Sequence, residues 1–155
     1  MSEAELHALA ANLALASAMV SATVLTHFWG LLLLTRALRG AGGRLRPHES
    51  HLRRAALILI VVFGIFALHT VEIWSYAALY RFLGEMHTFE QALYFSTVTF
   101  ASLGYGDIVL STRWRVLSAI EAANGVILFA WSTAFLFSVT SRLKVLEHDW
   151  LEPRA

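Results

Sequence analysis

The strongest constraint on this chain is one broken stretch, Ser102-Leu103-Gly104-Tyr105-Gly106-Asp107, set among apolar segments. Two glycines flanking a tyrosine oppose a helix, because glycine admits left-handed dihedrals that other residues resist. Irregular backbone at membrane depth survives only where protein surrounds it or where it lines a wet cavity. Carbonyl oxygens left free in such a place are suited to meeting a cation.

The surroundings are apolar enough for that argument to apply. Of 155 residues, 57% are hydrophobic and only 15% charged, with a mean hydropathy of +0.60, which favours the membrane class over a soluble domain. The net charge of +1 decides little, so the placement of the charges matters more. The absence of cysteine excludes disulfides and thiolate metal sites. The acidic start, Met1-Ser2-Glu3-Ala4-Glu5, lacks the basic opening of a secretory signal, so the first apolar span is expected to be retained.

Three apolar spans, at 6–34, 55–80 and 114–139, are long enough to cross about 30 Å of hydrocarbon at 1.5 Å per residue. The first is rich in Ala and Ser up to Ser21, a composition that permits close helix contact in lipid. His27 within it reads as a polar side chain bonded to a neighbouring helix rather than as a ligand. Between the first two spans lie Arg36, Arg39, Arg44, Arg46, Arg53 and Arg54, with Gly40, Gly42, Gly43 and Pro47 expected to break helical structure. Such a basic loop marks the cytoplasmic side and sets the N-terminus outside. The second span then travels outward and ends on Trp74, Tyr76 and Tyr80, suited to the interface belt. The last returns inward to Arg142 and Lys144.

The intervening 81–113 must leave and re-enter from one face, as a re-entrant helix over 89–101 and an extended return. The organisation expected is therefore an N-terminal transmembrane helix at 1–38, a cytoplasmic basic loop at 39–54, a hairpin unit at 55–143 and a short cytoplasmic tail at 144–155.

Thr97-Val98-Thr99-Phe100-Ala101-Ser102-Leu103-Gly104-Tyr105-Gly106-Asp107 resembles the pore-helix end and selectivity filter of potassium channels, whose usual form is TVGYGD. The likeness extends over outer helix, re-entrant loop and inner helix, about 54–143. It implies an all-α membrane protein of three transmembrane helices plus a pore helix and filter loop, assembling as a homotetramer in lipid. Potassium-channel filters replace the ion's hydration shell with rings of backbone carbonyls.

By this resemblance Ser102, Leu103, Gly104 and Tyr105 present the carbonyls, and the Ser102 hydroxyl closes the inner end. Gly104 and Gly106 allow the alternating backbone. Tyr105 points away and is braced by an aromatic cuff for which Tyr94 and Phe95 are candidates. Asp107 stands at the outer mouth, where a carboxylate concentrates cations. Ser102 and Leu103 depart from the usual Thr and Val, which makes preference for potassium over sodium the point to test. K+ is the implied permeant ion, with no cofactor, no nucleic acid and no soluble substrate. The alternatives are a non-selective cation channel and a non-conducting, channel-like membrane subunit.

The last span adds gating candidates. Gly125 aligns with the hinge glycine of related inner helices, or else lets another helix approach. Phe129, Thr133 and Phe137 recur at four-residue spacing and share a face; they line a cavity with Phe137 near a gate, or form a packing stripe. Glu72 and Glu121 are intramembrane acids, which are costly and normally face partners or water. With His69 and Asn124 they read as a buried polar network behind the pore helix, the competing reading being a proton sensor. A His-Glu metal enzyme is the poorer reading, because the sequence shows no second cluster to complete a ligand set. The first span lacks the arginine repeat of a voltage sensor, and the short tail leaves no place for a cytoplasmic gating ring.

Overall fold

The computed structural model describes residues 3–42 and 51–142. It holds four helices: α1 Glu3–Gly42, α2 His51–Phe82, α3 Phe89–Phe100 and α4 Arg115–Arg142. Three of them contain stretches long and apolar enough to cross a membrane, Glu5–Gly40, Leu52–Phe82 and Arg115–Arg142. The chain is an integral membrane protein. Its apolar segments are helical because, without water, each backbone polar group must be satisfied within its own segment. Hydroxyl side chains on these helices follow the same rule. Ser21, Thr26, Thr70, Ser75 and Thr133 each donate to the carbonyl four residues back.

One expectation fails at the end of α1. Gly40 does not break the helix, which runs through it to Gly42, its last described residue. A glycine inside a helix costs about 1 kcal/mol relative to alanine, too little to stop a helix already propagating over 40 residues. Gly43, Arg44, Arg46 and Pro47, and the tail at 144–155, lie outside the described residues.

Side-chain pairs fix the packing. Glu72 on α2 meets His27 on α1, while Leu34 covers Gly64 and Leu68 covers Gly30, so α1 and α2 are antiparallel. A Cβ at either glycine would collide with the opposing leucine, which is why these helices approach closely there. Going up α1, Asn12, Thr23 and His27 meet Leu117, Asn124 and Ser132 in rising order, so α1 runs parallel to α4. Both α1 and α3 contact α2 and α4. The core sits where they meet, around Ala16, Tyr76, Tyr80, Phe95, Phe100 and Leu117.

The connections are closed by defined caps. Helix α2 ends in a Schellman motif: Glu85 N–H bonds to Tyr80 C=O and Gly84 N–H to Arg81 C=O, both at 3.1 Å. Thr88 caps α3 by accepting from Gln91 N–H at 3.1 Å, and Gln91 accepts in return from His87 N–H. The start of α4 is served from another helix. Asn12 donates to the Arg113 carbonyl just before α4 and accepts from Leu117 N–H at 3.3 Å, a bond that Leu117 shares with Trp114 C=O at 3.0 Å.

Candidate functional site: the loop between α3 and α4

The broken stretch begins as the end of a helix. Ser102 N–H bonds to Thr99 C=O at 2.8 Å and Leu103 N–H to Val98 C=O at 2.9 Å. This is a second Schellman motif, with Ser102 in the left-handed position usually filled by glycine. Its φ is 55°, followed by 58° at Gly104 and 75° at Gly106, with Leu103 and Tyr105 outside the positive region. The sign of φ thus alternates over five residues. A Cβ at Gly104 or Gly106 would meet nothing within 4 Å, so backbone conformation rather than crowding selects glycine there. The Ser102 hydroxyl donates to the Ala122 carbonyl on α4 at 3.3 Å.

Two side-chain clamps hold the loop beyond the glycines. Tyr94 donates its phenol to Asp107 at 2.7 Å, and that bond holds the phenol above its ordinary pKa. Glu85, in the α2–α3 turn, accepts from both Ser111 N–H and Ser111 Oγ at 2.8 Å. Leu103 and Tyr105 remain 55% and 67% exposed. A cavity of about 400 Å³ lies between α3, the loop and the first turns of α4.

The two cuff candidates part company. Tyr94 faces the loop, but Phe95 is buried with its ring edge-on to Tyr80 at 5.2 Å. Successive residues on a helix point about 100° apart, and Phe95 shares the inward face of α3 with Ala92 and Ser96. Tyr105 makes no ring contact with either among the described residues.

On α4, Gly125 lies under the Phe100 carbonyl, so that a Cβ there would collide with it. The backbones of α3 and α4 thus approach closely at this glycine, and α4 is continuous through it. Phe129 turns towards His69 and Phe100, with ring centroids 4.6 and 5.5 Å away. With Thr133 it lines a cavity of about 550 Å³ walled by α2 and α3 of the same chain. Phe137 does not line that cavity and is 67% exposed.

The buried polar residues form separate groups rather than one. Glu121 accepts from Tyr80 at 2.5 Å and from Ser96 at 2.6 Å, tying α2 and α3 to α4. Asn124 donates to Thr23 at 2.8 Å and to Tyr76 at 3.4 Å. Glu72 lies between two histidines: His27 Nδ1 at 2.8 Å on one carboxylate oxygen and His69 Nδ1 at 2.7 Å on the other. His27 thus bonds across to another helix, as its lone polar position suggested. The parts played by Tyr80, Ser96, Ser132, Asn12, Glu85 and Ser111 escape a sequence reading. Each is an ordinary residue type whose partner is distant along the chain.

Residues 68–142 match the model of the family described as ion channel. That segment begins in the second half of α2 and ends with α4. The chain is also 38% identical over 74 residues to two-pore potassium channel 4 of Arabidopsis thaliana. The alignment covers 46% of this chain and 25% of that relative, so the match spans about a quarter of the relative's length. No solved structure matches the chain significantly.

Proposed function

With residues 68–142 belonging to the ion-channel family and its potassium-channel pore domains rather than to any enzyme, we propose that this protein conducts K+ passively across the membrane through a four-fold filter built from Ser102 to Asp107. The observation that carries the reading is the alternation of φ at Ser102, Gly104 and Gly106. Alternating handedness turns successive carbonyls towards one side of the strand, which is the arrangement a dehydrated cation needs. A single strand supplies one carbonyl per level and cannot surround an ion. Closed rotational symmetry among four copies completes each ring.

In this reading the carbonyls of Ser102, Leu103, Gly104 and Tyr105 line the file, and Asp107, held by Tyr94, sits at the outer mouth. The exposed Leu103 and Tyr105, and the cavity beside them, are surfaces that neighbouring copies would cover. The C-terminal end of α3 adds negative potential below the file. The N-terminus is outside and the C-terminus cytoplasmic, from the arginines following the first span. Phe137, exposed near the inner end of α4, is the gate candidate, so Phe137→Ser raises resting conductance.

Liposomes loaded with K+ and containing the purified full chain test the proposal. A K+ gradient should drive ionophore-independent flux that Gly104→Ala, which strains the left-handed position, abolishes. Equal flux of Na+ and K+ would make the filter non-selective, and no flux of either would overturn conduction.

A further inference from the structure

Four side chains from three helices close a ring inside the bundle. His27 Nδ1 meets one oxygen of Glu72 at 2.8 Å, and His69 Nδ1 meets the other at 2.7 Å. On the far side, Ser132 Oγ lies 3.0 Å from His69 Nε2 and 3.3 Å from His27 Nε2. His27 and Glu72 are wholly buried, and His69 and Ser132 nearly so. The ring joins α1 to both α2 and α4.

Counting hydrogens shows what the ring lacks. Its four contacts need four hydrogens, one each. An ionised Glu72 brings none, two neutral imidazoles bring one apiece, and the Ser132 hydroxyl brings one. Three hydrogens cannot fill four contacts. The remaining pair would set two lone pairs against each other, with a net negative charge buried in lipid. One added proton, on either imidazole or on the carboxyl, closes the ring and makes it neutral. We propose that His27, Glu72, His69 and Ser132 form a binding site for a single exchangeable proton, whose occupancy fastens α1 to the α2–α4 hairpin.

Two members of the ring border a cavity: His69 and Ser132 both line a space of about 550 Å³, in whose wall Thr70, Thr97 and Thr133 donate their hydroxyls to their own helices. Other ionisable groups facing the ring are few among the described residues. Tyr76 on α2 lies within electrostatic range of Glu72, and Glu121 on α4 is engaged by Tyr80 and Ser96. From α1 and α3 the neighbours besides His27 are neutral, with Phe100 of α3 set against the His69 ring. Trp131 of α4 covers the His27 ring at 5.2 Å.

The same residues could hold a divalent metal by type, but their spacing favours a proton. Ligands at about 2.0–2.1 Å in a tetrahedral zinc site stand roughly 3.4 Å apart. Here nitrogen and oxygen stand 2.7–2.8 Å apart, the separation of a charge-assisted hydrogen bond.

The site is independent of conduction, and so is its test. The full chain, labelled with 15N-histidine in lipid bilayers, is titrated from pH 5 to pH 9 by solid-state NMR. His27 and His69 should change protonation together in one single-proton step. Spin labels at the exposed Leu25 and Phe63 should show α1 held close to α2 below that step and loosened above it.

Glu72→Gln is the decisive variant. Its amide donates one hydrogen and accepts another, so two neutral imidazoles then fill all four contacts. It should fold, lose the titration step in both rings and keep the helices together throughout. Glu121→Gln should leave the step in place. Rings that titrate separately or not at all, or a Glu72→Gln protein that retains the step, overturn the proposal. So does Zn2+ that binds the wild type through both rings and displaces the proton.

Discussion

Ser102 is held at a φ of 55° by the two hydrogen bonds that end α3. A left-handed L-residue costs about 1–2 kcal/mol, and a β-branched one is a stronger outlier. This gives a reason for serine where related filters carry threonine. Ser102→Thr should lower stability by about 1 kcal/mol, read as a lower thermal midpoint in detergent; an unchanged midpoint would count against this backbone.

Gly125 separates two ideas in the same way. Its Cα faces the Phe100 carbonyl, so Gly125→Ala should destabilise the fold by about 1–3 kcal/mol through overpacking. A hinge glycine without that contact would change gating and leave the thermal midpoint alone. Sequence could offer both readings of Gly125 but could not choose, because the deciding atom is 25 residues away on another helix.

Helices were the most legible level. Spans expected at 55–80, 89–101 and 114–139 became His51–Phe82, Phe89–Phe100 and Arg115–Arg142, because hydropathy in lipid leaves a segment few alternatives to a helix. The partners of α1 were less legible. Its early Ala and Ser content pointed to close packing in the first half, and Ala16 is indeed buried. The later half packs as closely, through Gly30 and His27, which composition alone does not advertise.

Asn12 gives a direct test of that docking. Asn12→Ala removes the donor to Arg113 C=O and one of the two acceptors of Leu117 N–H, which keeps Trp114 C=O at 3.0 Å, at a cost of about 1 kcal/mol. Hydrogen exchange should quicken in the first turn of α4 and hardly change in α3. Exchange that rises equally in both helices would mean that Asn12 supports the whole bundle rather than one helix end.

At the scale of the whole molecule, one chain leaves the apolar side chains of the loop uncovered. Tyr105 stands 67% exposed, while Phe95 sets its ring edge-on to Tyr80 and also lines the cavity beside the loop. The motif Gly104-Tyr105-Gly106-Asp107 made the site legible as a stretch. What surrounds it was not, because those neighbours come from other helices and, in the proposed assembly, from other copies. Native mass spectrometry of the chain released from lipid should show four copies together. A stable monomer or dimer would leave every filter level incomplete and would count against the proposed pore.

The claim on which the rest depends is that Ser102 to Asp107 forms a path for K+. Recording from the purified chain in a planar bilayer, with K+ on one side and Na+ on the other, tests it directly. Unitary currents should appear whose reversal potential follows the K+ gradient and which vanish in Gly104→Ala. A silent bilayer containing folded protein, or currents that persist unchanged in that variant, would contradict it.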